Sequence, residues 1–282
     1  MSKPDFEAMA ATLESTGEYR VLRKLTPRRE IQPRDGAARR TALFVDVETT
    51  GLDPERNDII ELAMVPFTYG ADGRIFSTGE PFQGLREPDE PISGEITAIT
   101  GIDHAMVAGQ SIEPNTVAGF IVSADLIIAH NAVFDRRFLE RFCPEFIHKP
   151  WGCSNSQIDW KGEGFEGTRL AYLVAGAGFF YDRHRALNDC YAAIELLATR
   201  LPTWDTSSTT WADLMFAESN AMLGSMNELM RMGKPSLCVH DSLIVRLEDQ
   251  QAAEAALGRN YHMVCGISPG LKVSLPATRG AT

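Results

Sequence analysis

Two acids, Asp46 and Glu48, stand two residues apart in TALFVDVETTGLD, residues 41–53 of the 282-residue chain. Side chains two apart on a strand point the same way, so the spacing puts both carboxylates on one face of an apolar strand ending at Thr49-Thr50-Gly51. Paired carboxylates repel one another unless a cation sits between them, and hard divalent ions take such oxygen ligands. Two further acids and a histidine can join them. Asp135 follows Asn131 by four positions on a helical stretch, NAVFDRRFLERF, that begins where the short apolar strand DLIIAH ends. His184 lies in the loop before the helix ALNDCYAAIELLATRL, with Asp189 on its first turns, so both can face one pocket.

Together these residues have a chemistry that none has separately. Four carboxylates, Asp46, Glu48, Asp135 and Asp189, can hold two divalent ions about 4 Å apart, the arrangement used for in-line phosphoryl displacement. His184 supplies a base that titrates near neutrality, suited to taking a proton from an attacking water. The substrate this chemistry implies is a phosphodiester.

The elements that must position these groups follow from patterning. Residues 5–17 place Phe6, Met9, Ala10 and Leu13 at helical spacing. A basic arm follows, with Arg20, Arg23, Lys24, Arg28, Arg29, Arg34, Arg39 and Arg40 against Glu18, Glu30 and Asp35; it reads as a solvated linker, with phosphate contact as the other reading. The strand at 41–48 comes next. Residues 59–69 read as a second strand and 74–82 as a third, antiparallel across a Gly70-Asp72-Gly73 turn. SGEITAITGIDHAMV reads as a short helix and loop, SIEPNTVAGFIVSA as a helix, 151–160 as strand or turn, and 168–176 as a short apolar helix. Strand then helix after an antiparallel meander predicts a mixed sheet flanked by helices.

Composition narrows the class further. The chain is 44% hydrophobic and 23% charged, as ordinary globular proteins are. No apolar run is long enough for a membrane span and the N-terminus lacks the apolar core of a signal peptide, so the expected setting is cytoplasmic, with no membrane partner. Five scattered cysteines fit reduced thiols, and the spacing of Cys143, His148 and Cys153 matches no zinc pattern. A net charge of -11 argues against coating long nucleic acid, but not against gripping a few nucleotides through metal ions.

Three motifs, FVDVETTGLD with its tail NDIIELA, LIIAHNAVFDRRFL and HRALNDC, resemble those of the DEDD-type 3'-5' exonucleases of the histidine-containing subclass. That family includes the proofreading epsilon subunit of bacterial DNA polymerase III and ribonuclease T. The resemblance covers roughly residues 41 to 200 and matches all five family catalytic residues in order. It implies an α/β, RNase H-like fold with a mixed five-stranded sheet flanked by helices. It also implies Mg2+- or Mn2+-dependent release of nucleoside monophosphates, with two ions bound. By carry-over, Thr49, Thr50 and Leu52 lie beside the terminal nucleotide, and Asn131 and Phe134 help line the site. Where many relatives have a histidine before Gly-Ile, this chain has Thr100.

The expected organisation is an N-terminal helix and basic arm over 1–40, an exonuclease domain over 41–202, and a linker with a small α/β appendage over 203–282. In the last part, TWDTSSTTW reads as linker, 211–232 as an amphipathic helix rich in methionine, and GLKVSLP as a final strand. SLCVHDSLIVRL faintly resembles the metal-binding hairpin of family A DNA polymerases, but Ser242 replaces the expected acid. The expected partner is a single-stranded 3' end, where Phe134 or Phe179 could stack on unpaired bases, with DNA favoured over RNA although no named residue reads the 2'-hydroxyl, and with a DNA polymerase as a protein partner. Two alternatives stay open: an RNA-trimming exoribonuclease, and a non-catalytic partner-binding module.

Overall fold

The computed structural model describes residues 5–33, 36, 39–70, 73–199, 224–239 and 242–265, in two compact units, 1–215 and 216–282. The first unit is built on strand β2 (Arg39–Thr49), whose residues from Ala42 to Val45 are fully buried. A near-continuous apolar run is what a strand covered on both faces requires. β2 runs antiparallel to β3 (Ile59–Gly70) and parallel to β6 (Leu126–Ala129), which pairs in parallel with β7 (Trp151–Cys153). On the far edge, β4 (Ile75–Thr78) and β5 (Phe82–Leu85) both pair with β3, at its distal and proximal ends.

The mixed sheet flanked by helices is therefore present, with five positions across it. The expected single strand at 74–82 is instead two strands, making six. The Gly79 N–H still bonds the Pro66 carbonyl of β3 at 2.7 Å, but Pro66 has no N–H to return, and Gly79 and Pro81 separate β4 from β5.

Helices cover both faces. Leu43, Val45 and Val47 point into a core with Val117 and Ile121 of α4 (Pro114–Val122) and Phe138 and Leu139 of α5 (Ala132–Phe142). The alternate residues of β2 face α7 (Ala186–Ala198), whose Cys190 thiol lies at 3.7 Å from the Phe44 carbonyl. The stretch expected as one helix and loop forms two short helices, α2 (Gly94–Thr100) and α3 (His104–Val107), separated at Gly101 with φ 70°. Of residues 151–160, three form β7 and the rest turns; α6 (Leu170–Gly176) follows.

The N-terminal segment is not a free linker. After helix α1 (Phe6–Ser15), strand β1 (Arg23–Lys24) pairs in parallel with β8 (Phe179–Phe180). Arg20 donates to the Ala175 and Gly176 carbonyls that end α6, at 2.6 and 2.7 Å. Lys24 pairs with Asp182 at 2.8 Å, Arg28 with Glu195, and Arg29 with Glu80. These four side chains are spent on the domain they wrap, while Arg23 pairs with Glu7 and Glu14 of α1; Arg34 lies outside the described residues.

The second unit contains helical residues 224–231 (α8), a hairpin of β9 (Ser236–Val239) and β10 (Ser242–Val245), and α9 (Gln250–Cys265). Leu229 packs on Ala253 and Ala256, and buried Asp249 is paired with Lys234 and Arg246. The linker TWDTSSTTW, the first half of the 211–232 helix, His240-Asp241 and GLKVSLP lie outside the described residues. Among the described residues, no helix is long and apolar enough to cross a membrane.

Candidate active site

The ladder between β2 and β6 stops at Phe44 opposite Ile128, while β2 runs on to Thr49. The overhang leaves the Val47 N–H without a strand partner on that side, and Asp135 Oδ1, from the first turn of α5, accepts it at 3.2 Å. Asp46 and Glu48 sit on the same overhang, facing α7, at the carboxyl ends of two parallel strands. Crevices in that position are the usual ligand sites of open α/β sheets.

Asp46, Glu48 and Asp189 each offer an oxygen such that the three lie within 4.8 Å of one another. Burial and mutual repulsion act on them together. Asp46 is held well above the usual carboxylate range by burial, then by the charges of Asp135, Asp189, Glu48 and Glu61. Glu48 is pushed up to about 8 and Asp135 to about 7, in both cases first by burial. Asp189 is raised by burial, against the opposing pull of its Tyr181 hydrogen bond and the nearby His184. Its Oδ2 is buried with no hydrogen-bond partner. A buried carboxylate oxygen left unpaired, beside two others, fits a divalent cation, whose charge would reverse each of these costs. Asp46, Glu48 and Asp189 would be its ligands, with Asp135 alongside from α5.

His184 stands just ahead of α7 with an exposed imidazole and φ 59°, the only non-glycine residue at positive φ among those described. Of the residues expected beside the terminal nucleotide, Thr49 and Thr50 have hydroxyls occupied within the turn. Thr49 donates to the Gly51 carbonyl at 2.6 Å, and Thr50 Oγ1 accepts the Asp58 N–H at 2.9 Å. A bulge between Glu48 and Thr49 sets this turn off the ladder. Leu52 projects from it, 82% exposed. Across the overhang, Asn131 is exposed at the start of α5 with no capping bond from its side chain, and Phe134 is half-buried against Phe138. Thr100 is buried and its hydroxyl closes α2, donating to the Ile96 carbonyl and accepting the Ile102 N–H.

Three residues at the site escaped the sequence reading. Tyr181 donates to Asp189 Oδ1 at 2.7 Å. Glu61, on β3, has no exposed surface and pairs with Arg185, the residue after His184. Glu61 carried one available signal, being the sole charge inside the apolar run IIELAMV.

A family model described as Exonuclease (RNase_T) matches residues 43–197, more than half of the chain. The chain is similar to Exodeoxyribonuclease 10 of Escherichia coli (strain K12), 32% identical over 177 residues, covering 61% of this chain and 73% of that protein. It is similar to the DNA polymerase III subunit epsilon of Aquifex aeolicus (strain VF5), 26% identical over 175 residues, covering 60% of this chain and 84% of that protein. Among solved structures it is similar to one of exonuclease X in complex with 5' overhanging duplex DNA, with 29% identity and a TM-score of 0.46, covering 62% of this chain and 99% of that one. The matched span opens on the strand of Asp46 and closes on the helix of Asp189, and it makes this chain a member of the DEDDh-type 3'-5' exonuclease family.

Proposed function

We propose that this exonuclease removes nucleoside 5'-monophosphates from the 3' end of single-stranded DNA, with two Mg2+ or Mn2+ ions as cofactors. The observation that carries the reading is the cluster of Asp46, Glu48 and Asp189, three carboxylates within 4.8 Å whose proton affinities are all raised. Ions bound there supply the positive charge that activates water and stabilises the leaving oxygen.

The chain's own groups do the rest. Asp46, Glu48, Asp135 and Asp189 present their oxygens at the overhanging end of β2. The His184 imidazole takes the proton of the attacking water through a ring nitrogen, so that hydroxide adds to phosphorus as the bond to the 3' oxygen breaks. The leaving 3' oxygen takes a proton from solvent, so the shortened strand ends in a 3'-hydroxyl, and the released nucleotide keeps its 5'-phosphate. The Thr49–Leu52 turn and the Asn131–Phe134 face of α5 flank this point, placing exposed Leu52 and half-buried Phe134 where an unpaired base can pack.

DNA is favoured by two of the relatives, whose names are those of an exodeoxyribonuclease and a DNA polymerase subunit. The second also favours a DNA polymerase as partner. Reduced Cys143, Cys153 and Cys190, all buried, fit a cytoplasmic setting. We place catalysis in residues 41–202, preceded by the arm over 1–40 and followed by a separate appendage over 203–282.

Digestion of 5'-labelled single-stranded DNA, duplex DNA and RNA with Mg2+, Mn2+ or chelator tests the reading. Laddering of single-stranded DNA from its 3' end with either ion, abolished by chelator, is expected. Preferred digestion of RNA would move the substrate to the exoribonuclease alternative, and no digestion with either ion would support the binding module.

A further inference from the structure

Glu61 is fully buried, and its register partner across the β2–β3 ladder is Glu48. Two acids opposite one another on neighbouring strands are unfavourable. Here one of them is consumed. Glu61 Oε1 accepts from Arg185 Nη2 at 2.7 Å and from Gln83 Nε2 at 2.7 Å. Its Oε2 accepts from Arg185 Nε at 3.1 Å and from the Ala186 N–H at 3.0 Å. With both oxygens so occupied, Glu61 is not a free ligand for a cation. It is an anchor.

What it anchors is the start of α7. Arg185 occupies the cap position of that helix, yet makes no side-chain capping bond; the Ala186 N–H is capped instead by a carboxylate from a different strand. His184 is the next residue upstream, and its φ of 59° is a conformation that persists only where the surroundings over-determine it. Asp189 follows one turn further along α7, its N–H bonded to the Arg185 carbonyl at 3.1 Å.

We propose that the Glu61–Arg185 pair is a positioning device that holds the left-handed backbone of His184 and aims its imidazole at the acidic cluster. The pair touches neither substrate nor metal and acts through His184. The inference rests on the exonuclease reading above, in which His184 is the base. Replacing Glu61 by Gln puts an NH2 group where one oxygen now faces two N–H donors, so the substitution opens the clamp at almost constant volume.

The test is a double-mutant cycle in the full chain: wild type, Glu61→Gln, His184→Ala and the double variant. Each is measured for kcat and KM on 5'-labelled single-stranded DNA with Mn2+, and for Mn2+ affinity by electron paramagnetic resonance. At saturating Mn2+, Glu61→Gln is expected to lower kcat by about 10- to 100-fold with KM nearly unchanged, and to lower it by less than about threefold once His184 is gone. The same fold-loss in both backgrounds, or a wild-type kcat in Glu61→Gln, overturns the proposal. If Glu61→Gln does not fold by circular dichroism, Arg185→Lys, which keeps the charge but loses the fork, replaces it in the cycle under the same criteria. His184→Ala at the wild-type rate would remove the base assignment itself, a failure distinct from additivity in the cycle.

Discussion

The Tyr181 hydroxyl donates to Asp189 Oδ1 at 2.7 Å while Asp189 Oδ2 is buried without a partner. One oxygen is held by the phenol and the other is left without a hydrogen bond, in a residue that belongs to the acidic cluster. Burial and the adjacent carboxylate push the phenol up, so it remains a donor throughout the working pH range. Hydrogen bonds that orient metal ligands are worth about 10- to 100-fold in metal affinity. Tyr181→Phe is therefore expected to weaken Mn2+ binding by roughly tenfold, as measured by Mn2+ titration, with activity recovering at high metal concentration. Unchanged affinity would show that Asp189 is held by α7 alone.

Removal of a ligand should have a harsher effect than removal of its support. Asp46→Ala and Asp189→Ala are each expected to abolish metal-dependent digestion while leaving the circular dichroism spectrum intact. Full activity in either would eliminate the two-metal reading.

The metal-free cluster should make stability fall with rising pH. Glu48 at about 8 and Asp135 at about 7 lie above ordinary carboxylate values near 4, so the native state keeps protons that the unfolded state has released. Below about pH 4 both states are protonated and these groups are neutral in their effect; between there and about 8 the native state is progressively penalised. In chelator, the melting temperature should drop from pH 5 to pH 8. Glu48→Gln should flatten that slope and raise the value at pH 8 by roughly 2–6 °C. Saturating Mg2+ should stabilise strongly at pH 8 and weakly at pH 5. A melting temperature that rises over the same interval in chelator would contradict the cluster's electrostatics.

His184→Ala is expected to cost about 10²- to 10⁴-fold in kcat, the usual worth of a general base. The acid limb of the pH-rate profile should change as well. A profile identical to wild type would exclude His184 as the group that takes the proton.

The sequence carried the site where local period decides geometry. Asp46 and Glu48 share a face because they are two apart on a strand, and the apolar stripes around Asp135 and Asp189 fix which helix faces turn inward. What was missed depends on contacts between distant segments. Arg23 meets Phe179 across more than 150 residues, and no local pattern announces a two-residue parallel pairing. Glu61 and Arg185 are 124 apart, and each alone looks like an ordinary charge; only their pairing across the sheet makes a clamp. Tyr181 lies in a loop, where periodicity says nothing about the direction of its hydroxyl. The division of β4 from β5 was signalled by Gly79 and Pro81, but the choice of β3 as partner for both is tertiary.

The turn after Glu48 gives the last prediction. A β-carbon added at Gly51 would lie 2.6 Å from Asn57 Oδ1, the oxygen that accepts the Asp53 N–H at 2.9 Å. The Asn57 amide would have to swing away and release that bond, while Arg141, which donates to the Pro54 carbonyl, still holds the loop from α5. Gly51→Ala should thus disturb the exposed Leu52 and leave Asp46, Glu48 and Asp189 in place. The expected result is KM for single-stranded DNA raised by about 3- to 10-fold, from loss of roughly 1 kcal/mol of substrate packing, with Mn2+ affinity unchanged. Loss of Mn2+ affinity instead would show that the turn supports the acidic cluster rather than the substrate end.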